Sequence, residues 1–594
     1  MKSYAAPLED MAFLLCEHLR IPDRTGPGGY VADAETIGSV LAEAARFVEE
    51  EIAPLNATGD REGCRFHDGE VTTPPGFRQA FGRLRALGWP LLTVPAKLGG
   101  QAMPRALGMA FNEMIASASM AFGMFPGLTR GVADMIAAYG DEELQRQYLP
   151  KLLSCECTGT ICMTEAQAGS DLSLVRTLAV PAQDGSYLIR GDKIFISGGD
   201  HDLTDNIVHL VLARTPDAPA GSKGLSLFIV PKFLPQAGDE IGVRNPVHTT
   251  GIETKMGNHA SPTCALRFED ARGFLLGPVH GAMGCLFAML NKTRIGSGLQ
   301  GCAVSEAAYQ TALSYARERR QGRPLGPNSP NGDSGTVAII SHPDVKRTLA
   351  EIRSFVEGGR ALCYRAAVLL DTAAHHSEAG DRKRAERLLA IMTPVIKAFL
   401  TEAGFNCAVM AQQVLGGHGY IVGNMVEQYV RDARLGMLYE GANGIQGLDL
   451  AMRKIRMDEG RALAAFLAEA ANELETSNSD EWLGPLARVL DLARACSDGI
   501  LKAEPDQVAM VAGDYLRLLG FLAMGTAWAA MGRTARAHQD EGSAFHADKL
   551  ATCRFFICQV LPGAEAPAAR IMAGLGVSFA VPCQPGKSAE GSEL

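Results

Sequence analysis

Residues Met163-Thr164-Glu165-Ala166-Gln167-Ala168-Gly169-Ser170-Asp171 mark the point at which the periodicity of this 594-residue sequence changes. Upstream, apolar residues recur at helical spacing. Thr36 to Ile52 (TIGSVLAEAARFVEEEI) places them three and four apart and stops before Pro54, the pattern of an amphipathic helix. Phe77 to Leu87 and Leu107 to Ala121 repeat it, and Asp141 is placed to cap a helix running to Leu153. Downstream, from about Ile161 to Leu276, the apolar runs are short: Tyr187-Leu188-Ile189, Ile194-Phe195-Ile196, Ile207 to Leu212 and Leu225 to Val230. Turn clusters at Gln183-Asp184-Gly185, Gly198-Gly199-Asp200 and Pro216 to Gly224 separate them. Strands at this spacing predict a small β-domain, either a barrel or two packed sheets.

Helical spacing returns after Gly284, in Cys285 to Arg320, Pro343 to Leu370, Arg382 to Leu415 and Tyr429 to Met457, with Arg323 to Gly335 (RPLGPNSPNGDSG) as a loop. Ala462 to about Gly574 is helical again, with Glu475 to Asp480 as an interhelical loop, and the last dozen residues read as a frayed tail. The expected organisation is α+β. It comprises an N-terminal helical domain (1–158), a middle β-domain (159–278), a C-terminal helical bundle (279–460) and an additional helical domain with a flexible tail (461–594). Four domains agree with a chain of this length at roughly 150 residues per domain.

Composition excludes several classes. Lys plus Arg is 56 and Asp plus Glu is 66, a formal charge of −10, and 47% hydrophobic with 21% charged residues is ordinary soluble composition rather than disorder. A pI near 5.8 argues against a nucleic-acid partner, because a polyphosphate backbone requires a basic surface. The strongest apolar run, Leu516 to Met531, is interrupted by Arg517, Gly520 and Gly525, so a buried helix is expected rather than a membrane span. The last region also lacks a basic amphipathic face, which argues against membrane contact. Met1 to Leu15 carries Lys2, Glu9 and Asp10 and has no apolar h-region, so no secretory signal is expected. The 14 cysteines lack framework spacing, and Cys155, Cys157 and Cys162 form no CxxC pair, so reduced thiols in a cytoplasmic protein are expected. HExxH is missing and no metal site is expected.

Four pieces can carry chemistry. In Met163 to Asp171, hydroxyls flanking a glycine can turn N–H and O–H groups toward one ligand; the simpler alternative is a turn capped by Ser170 and Asp171. In Lys193-Ile194-Phe195-Ile196-Ser197-Gly198-Gly199, an aromatic where a strand enters a tight turn can stack on a planar group, or it can be core. In Gln413-Val414-Leu415-Gly416-Gly417-His418-Gly419-Tyr420, three glycines in four positions permit close backbone approach, or form a helix C-cap with His418 as a turn residue. The fourth piece is Arg431-Asp432-Ala433-Arg434 followed by Tyr439-Glu440-Gly441-Ala442-Asn443-Gly444-Ile445-Gln446. There Glu440 either complements the dipole of the next helix or is a base at a cleft, where Gly441 lets a flat ligand pass. Gly296-Ser297-Gly298-Leu299-Gln300-Gly301 fits GxGxxG, but no strand precedes it; these glycines read as close helix packing, not as a dinucleotide fingerprint.

In this order and spacing the four pieces resemble the acyl-CoA dehydrogenase family, over roughly Thr36 to Met457. Overall length, NIVHLVLAR, SLFIVPKF and the extra helical region resemble its larger bacterial branch, which includes 3-(methylthio)propanoyl-CoA and long-chain acyl-CoA dehydrogenases. The resemblance implies FAD, α,β-dehydrogenation of an acyl-CoA thioester, and electron delivery to an electron-transfer flavoprotein. A 3-(methylthio)propanoyl-CoA-specific dehydrogenase, an oxygen-using oxidase and a non-catalytic acyl-CoA binder are the alternatives.

By motif position, Glu440 is implied as the base that removes the α-proton. Met163, Thr164, Ser170, Phe195 and Ser197 would hold FAD, while Arg319, Gln413, Gly416 and Gly417 would reach the FAD of a neighbouring subunit, implying at least a homodimer. Ser170, Arg294, Tyr439 and Gly441 would contact substrate. Phe195 stands where Trp is usual, Ala442 where many members have Thr, and Gly322 where many have an aromatic. Burial would raise the basicity of a carboxyl whose ordinary pKa is about 4.3.

Overall fold

The computed structural model describes residues 4–24, 32–235, 241–323, 335–477, 481–538 and 542–576. Most of the loop expected over Arg323 to Gly335, the end of the Glu475 to Asp480 stretch and the expected tail lie outside these residues; Glu475 and Thr476 close a helix.

The N-terminal third is helical: α1 (Leu8–Ala12), α2 (Ala34–Phe47), α3 (Leu55–Glu62), a small hairpin of β1 (Arg65–His67) and β2 (Glu70–Thr72), α4 (Phe77–Ala86), α5 (Arg105–Ala118), α6 (Met120–Tyr139) and α7 (Glu142–Leu153). Asp141 caps α7 as expected, its carboxylate accepting the Leu144 N–H at 2.8 Å. The helix expected to run from Leu107 to Ala121 is broken at Ser119, which is extended (φ −158°) and caps α6 through a bond from the Phe122 N–H at 3.3 Å. The sequence reading missed α6 because that helix is buried around most of its circumference and shows no clean periodicity.

The β-domain contains β3 (Cys157–Cys162), β4 (Leu178–Pro181), β5 (Tyr187–Ser197), β6 (Asn206–Arg214), β7 (Leu225–Pro231), β8 (Phe233–Pro235), β9 (Ile241–Arg244), β10 (Val247–Ile252) and β11 (Thr263–Leu276). Strand pairing closes on itself through β4, β5, β11, β7 and β6, with β3 added parallel to β6 and β10 antiparallel to β11. Of the two architectures left open by the sequence, this is the closed one. The two short runs containing Ile189 and Ile196 belong to one strand, β5.

Then follow α8 (Ala282–Glu318), α9 (Pro343–His375), α10 (Ala379–Leu415), α11 (Val426–Leu435) and α12 (Asn443–Leu448), and after a kinked segment α13 (Arg461–Thr476), α14 (Gly484–Lys502), α15 (Pro505–Ala537), α16 (Ala544–Phe555) and α17 (Glu565–Gly574). Two of the three GxGxxG glycines, Gly298 and Gly301, mark the crossing of α8 and α10, whereas a Cβ on Gly296 would meet nothing within 4 Å. A Cβ on Gly298 would lie 2.7 Å from the Ile396 carbonyl oxygen, and one on Gly301 2.3 Å from that of Leu400, so the backbones touch. The segments Ala379–Tyr420 and Pro505–Ala537 are long and apolar enough to cross a membrane by length and composition. However, 78% and 67% of their apolar windows are buried inside the protein, where they serve as core helices.

Polar fasteners join the parts. Arg431 forks onto Asp60 of α3 at 2.9 and 2.5 Å, and buried Asp432 accepts the Asn258 N–H at 2.5 Å, so the RDAR motif ties α11 to the N-terminal helices and to the β-domain. The last helices are locked to α9 and α1 by a buried charge cluster. In it Arg360 meets Asp10, Glu113 (2.7 Å) and Glu306 (2.6 Å), while Lys549 meets Asp10 and Glu357 (2.5 Å). Trp528 of α15 donates its indole N–H to the Ser354 carbonyl at 3.0 Å. Each charge in this cluster has a partner of opposite sign, which offsets the cost of its desolvation.

Candidate active site

The first two motifs form one unit. β3 runs into the loop Met163 to Asp171, and the facing strand β5 holds that loop through the Ile194 N–H, which donates to the Thr164 carbonyl at 3.0 Å. Below the loop, fully buried Lys193 donates to the Met163 carbonyl at 3.1 Å and to the Glu165 carboxylate at 2.8 Å. Glu165 also accepts from the Arg176 N–H (2.7 Å), the Thr177 N–H (3.0 Å) and the Thr177 hydroxyl (2.6 Å). Burial alone would raise the Glu165 pKa; the Lys193 charge and these hydrogen bonds outweigh it and hold the carboxyl down at about 2.

Asp171 does cap a short turn, accepting the Ser173 N–H at 2.9 Å, while Ser170 stays exposed. Phe195 is not core: it is 58% exposed and its φ of 58° lies in the left-handed region, which an aromatic residue rarely adopts. Met163, Thr164 and Ser197 are part-buried around it in sequence. An exposed ring on an over-determined backbone, next to a hydroxyl-bearing loop pinned by a buried ion pair, fits a planar cofactor carrying phosphates.

The second cluster surrounds the turn between α11 and α12. Glu440 and Gly441 both take left-handed backbone, φ 55° and 81°. A Cβ on Gly441 would lie 2.6 Å from the Gln446 side-chain nitrogen, so glycine is required there twice over. Thr293 of α8 donates to Glu440 Oε2 at 3.0 Å. Lys397 of α10 donates to the Gly441 carbonyl at 2.8 Å and to Asn443 Oδ1 at 2.9 Å, and Gln446 donates to the carbonyls of Glu440 (3.3 Å) and Gly441 (3.2 Å). The Tyr439 hydroxyl donates to Gln300, whose amide reaches Met124 Sδ at 3.4 Å. Arg294 is buried, with one guanidinium nitrogen 4.0 Å from Asp449 and its Nε without a hydrogen-bond partner among the described residues. The Glu440 N–H likewise meets no acceptor among the described residues. Burial pushes the Glu440 pKa up, against the opposing effects of the Thr293 bond and of the Arg294 and Lys397 charges.

The two clusters meet on α6. A Cβ on Gly131 would lie 3.7 Å from Thr293 Cγ2 and 4.0 Å from Ile161, two residues before the loop at Met163. The third group is elsewhere. Arg319, Gln413, Gly416 and Gly417 are all exposed, and the Tyr315 hydroxyl is 3.0 Å from His418 Nδ1, which brings the end of α8 to the glycine turn. His418 is thus a hydrogen-bonded turn residue. Twenty-five residues of α8 separate Arg319 from Arg294, roughly 37 Å along a helix.

Sequence reasoning missed Glu165, Lys193, Thr293 and Lys397. Lys397 carried a signal, as the one charge in Thr393-Pro394-Val395-Ile396-Lys397-Ala398-Phe399-Leu400, where a buried ammonium must find acceptors. Thr293 carried none. Among the described residues no group of His, Cys, Asp and Glu could hold a metal ion.

Family models match consecutive parts of the chain: the acyl-CoA dehydrogenase N-terminal domain at 35–156, the middle domain at 160–271, the C-terminal domain at 332–455 and an acetyl-CoA dehydrogenase C-terminal-like domain at 461–582. The chain is 40% identical to a 3-methylmercaptopropionyl-CoA dehydrogenase of Ruegeria pomeroyi, over 96% of this chain and 98% of that one. It is 33% identical to a broad-specificity linear acyl-CoA dehydrogenase of Mycobacterium tuberculosis, over 95% and 96%. In fold it resembles Caenorhabditis elegans ACDH-11 in complex with C11-CoA, with a TM-score of 0.76 at 19% identity over 96% and 95% of the two chains. A likeness that runs through the β-domain, the Glu440 turn and the last helices alike leaves one assignment: this chain belongs to the acyl-CoA dehydrogenase family, FAD flavoproteins that oxidise acyl-CoA thioesters.

Proposed function

We propose that the protein introduces a trans double bond between Cα and Cβ of an acyl-CoA, with Glu440 removing the α-proton. The observation that carries this reading is the Glu440 turn: a carboxylate made more basic by burial, next to an N–H that meets no acceptor among the described residues. That N–H is placed to donate to the thioester oxygen, where a single donor contributes about 3 kcal/mol to holding a developing oxyanion. Thr293 fixes the carboxylate rotamer, and Gly441 gives the turn its left-handed bend against Gln446. In this reading Arg294, Tyr439 and Gly441 contact the substrate beside Glu440, together with Ser170 of the β-domain loop. Met163, Thr164, Ser170, Phe195 and Ser197 are the residues that would hold FAD, which when bound supplies the acceptor for the β-hydride.

Anaerobic mixing with a panel of saturated acyl-CoAs and 3-methylmercaptopropionyl-CoA tests the reading. Bleaching of the flavin by at least one of them is expected, and a flavin that none of them reduces would overturn it. The 40% identity to the Ruegeria protein favours the short thioether substrate as the fastest of the panel. Reoxidation by an electron-transfer flavoprotein is the expected route; stoichiometric peroxide in aerobic turnover would point to an oxidase instead.

Arg319 lies too far along α8 to serve the FAD held by the same chain, and Gln413, Gly416 and Gly417 lie at the glycine turn that His418 ties to that end of α8 through Tyr315. We assign them to a neighbouring subunit's FAD in a homodimer, a reading supported by the exposed Tyr420 and Val422, each 83% accessible beside the glycine turn. Sedimentation of the FAD-loaded protein should give a dimer or a multiple of one. A fully loaded monomer would end this assignment.

A further inference from the structure

We infer that Lys397 is a positioning residue for the reaction: from beneath the Glu440–Gly441 turn it fixes the backbone that presents the carboxylate, and its positive charge sets the pH at which that carboxylate works as a base. The inference rests on the reading of Glu440 as the base.

Three observations lead to it. Lys397 is fully buried, yet both of its hydrogen-bond acceptors, the Gly441 carbonyl and Asn443 Oδ1, are neutral, and among the described residues it makes no ion pair. An ammonium so placed is costly to keep charged. If holding the turn were its whole task, a neutral amide would suffice: Gln446 already donates to the same carbonyl with one. The anion acting on Lys397 is Glu440, and burial has already pushed the lysine down to about 8. Among the described residues the charge is therefore held beside one carboxylate, that of Glu440.

The remaining groups facing Glu440 do not replace it. From α8 come Thr293, a neutral donor, and Arg294, whose charge is shared with Asp449 at 4.0 Å and lies near Arg453. From its own turn comes Tyr439, whose hydroxyl is taken by Gln300, and from α12 comes Gln446. Among the described residues Lys397 is the one cation acting on Glu440 from the α10 side. Removing it takes away a stabiliser of the carboxylate, so the Glu440 pKa should rise; at acidic pH less of the base is then ionised and reduction slows.

The test uses the FAD-loaded enzyme. Anaerobic flavin reduction at saturating acyl-CoA is followed from about pH 5 to about pH 10 for wild type, Lys397→Met and Lys397→Arg. In Lys397→Met the acidic limb should move up by about one pH unit, roughly tenfold slower on that limb, with the alkaline plateau several-fold lower as the turn loosens. Lys397→Arg should return the limb to the wild-type position. A Lys397→Met limb that superimposes on wild type, whatever its plateau, overturns the inference. If the Met variant does not accumulate as a flavoprotein, Lys397→Gln is read the same way, since it can still donate to the Gly441 carbonyl without the charge. Glu440→Gln separates the two readings. If that variant is still reduced at the wild-type rate, the base assignment fails; if it is inactive while Lys397→Met is unshifted, only the Lys397 inference fails.

Discussion

Glu440→Gln is expected to give a yellow protein that binds acyl-CoA with near wild-type affinity and does not bleach. The amide keeps an oxygen able to accept the Thr293 hydroxyl, now at 3.0 Å from the carboxylate, so the turn should persist. The backbone is held independently, through the carbonyls of Glu440 and Gly441, by Gln446 and Lys397. What disappears is the proton acceptor. A positioned general base contributes typically about 10²–10⁴-fold, and among the described residues no second carboxylate is hydrogen-bonded to the turn, so a loss at or beyond the upper end is expected. Stopped-flow reduction under anaerobic conditions reads the rate, and the spectral change on titrating with acyl-CoA reads binding. Reduction within tenfold of wild type would remove Glu440 from its role and, with it, the reaction proposed above.

The second large effect belongs to Lys193. Its replacement by Met leaves Glu165 buried at 5% exposure with four neutral donors and no cation. Breaking a buried pair by removing one partner costs about 3–5 kcal/mol. The segment with most freedom to relieve that cost is the Met163 to Asp171 loop, whose Met163 carbonyl also loses a donor. Lys193→Met should therefore be purified largely without FAD, its affinity lowered by roughly 10²–10³-fold if most of the cost is relieved there. The double replacement Lys193→Met with Glu165→Gln should recover much of the loss, because no charge is left stranded.

The same pair gives the wild-type protein an acid-sensitive step. Glu165 has a folded pKa near 2, below its ordinary value of about 4.3. The stability it confers is thus complete above that value and drains away as pH falls toward 2. Flavin fluorescence, quenched when FAD is bound and bright when free, reads both experiments. A Lys193→Met protein that keeps its full complement of FAD through dialysis would show that the ion pair does not position the loop.

Much of the molecule was legible before any coordinates. The switch of period near Met163 located the β-domain because a half-buried strand and an amphipathic helix impose different spacings on the same residue types. The Asp141 cap and the glycine crossing of α8 on α10 were equally readable, since each depends on local chemistry: an acceptor before a helix, and missing side chains where backbones touch. α6 was not, because a helix wrapped on nearly all sides carries no polar stripe to phase it. In the site, Glu440 was identified by its neighbours in the chain, whereas Thr293 and Lys397 reach it from residues 147 and 43 positions away. No spacing rule links such partners. Phe195 was read in isolation as core or stacking surface, and only the backbone decided, since its left-handed φ is invisible in the string of letters.

The crossing of α8 and α10 has a consequence for how this enzyme can drift. Gly298 lies one turn after Arg294, and its contact on α10 is the carbonyl of Ile396, the residue preceding Lys397. The spacing between the two cations is therefore gauged where the bare Gly298 backbone meets Ile396, whose Cγ2 methyl and carbonyl oxygen would lie 2.6 and 2.7 Å from an added Cβ. Elsewhere in the core a swapped methyl can be absorbed by a neighbour's rotamer; at this seam any added atom wedges the two helices apart and carries the charges with them. Variation should accumulate around Met124 and Gln300, where side chains meet side chains, while the gauge itself stays fixed.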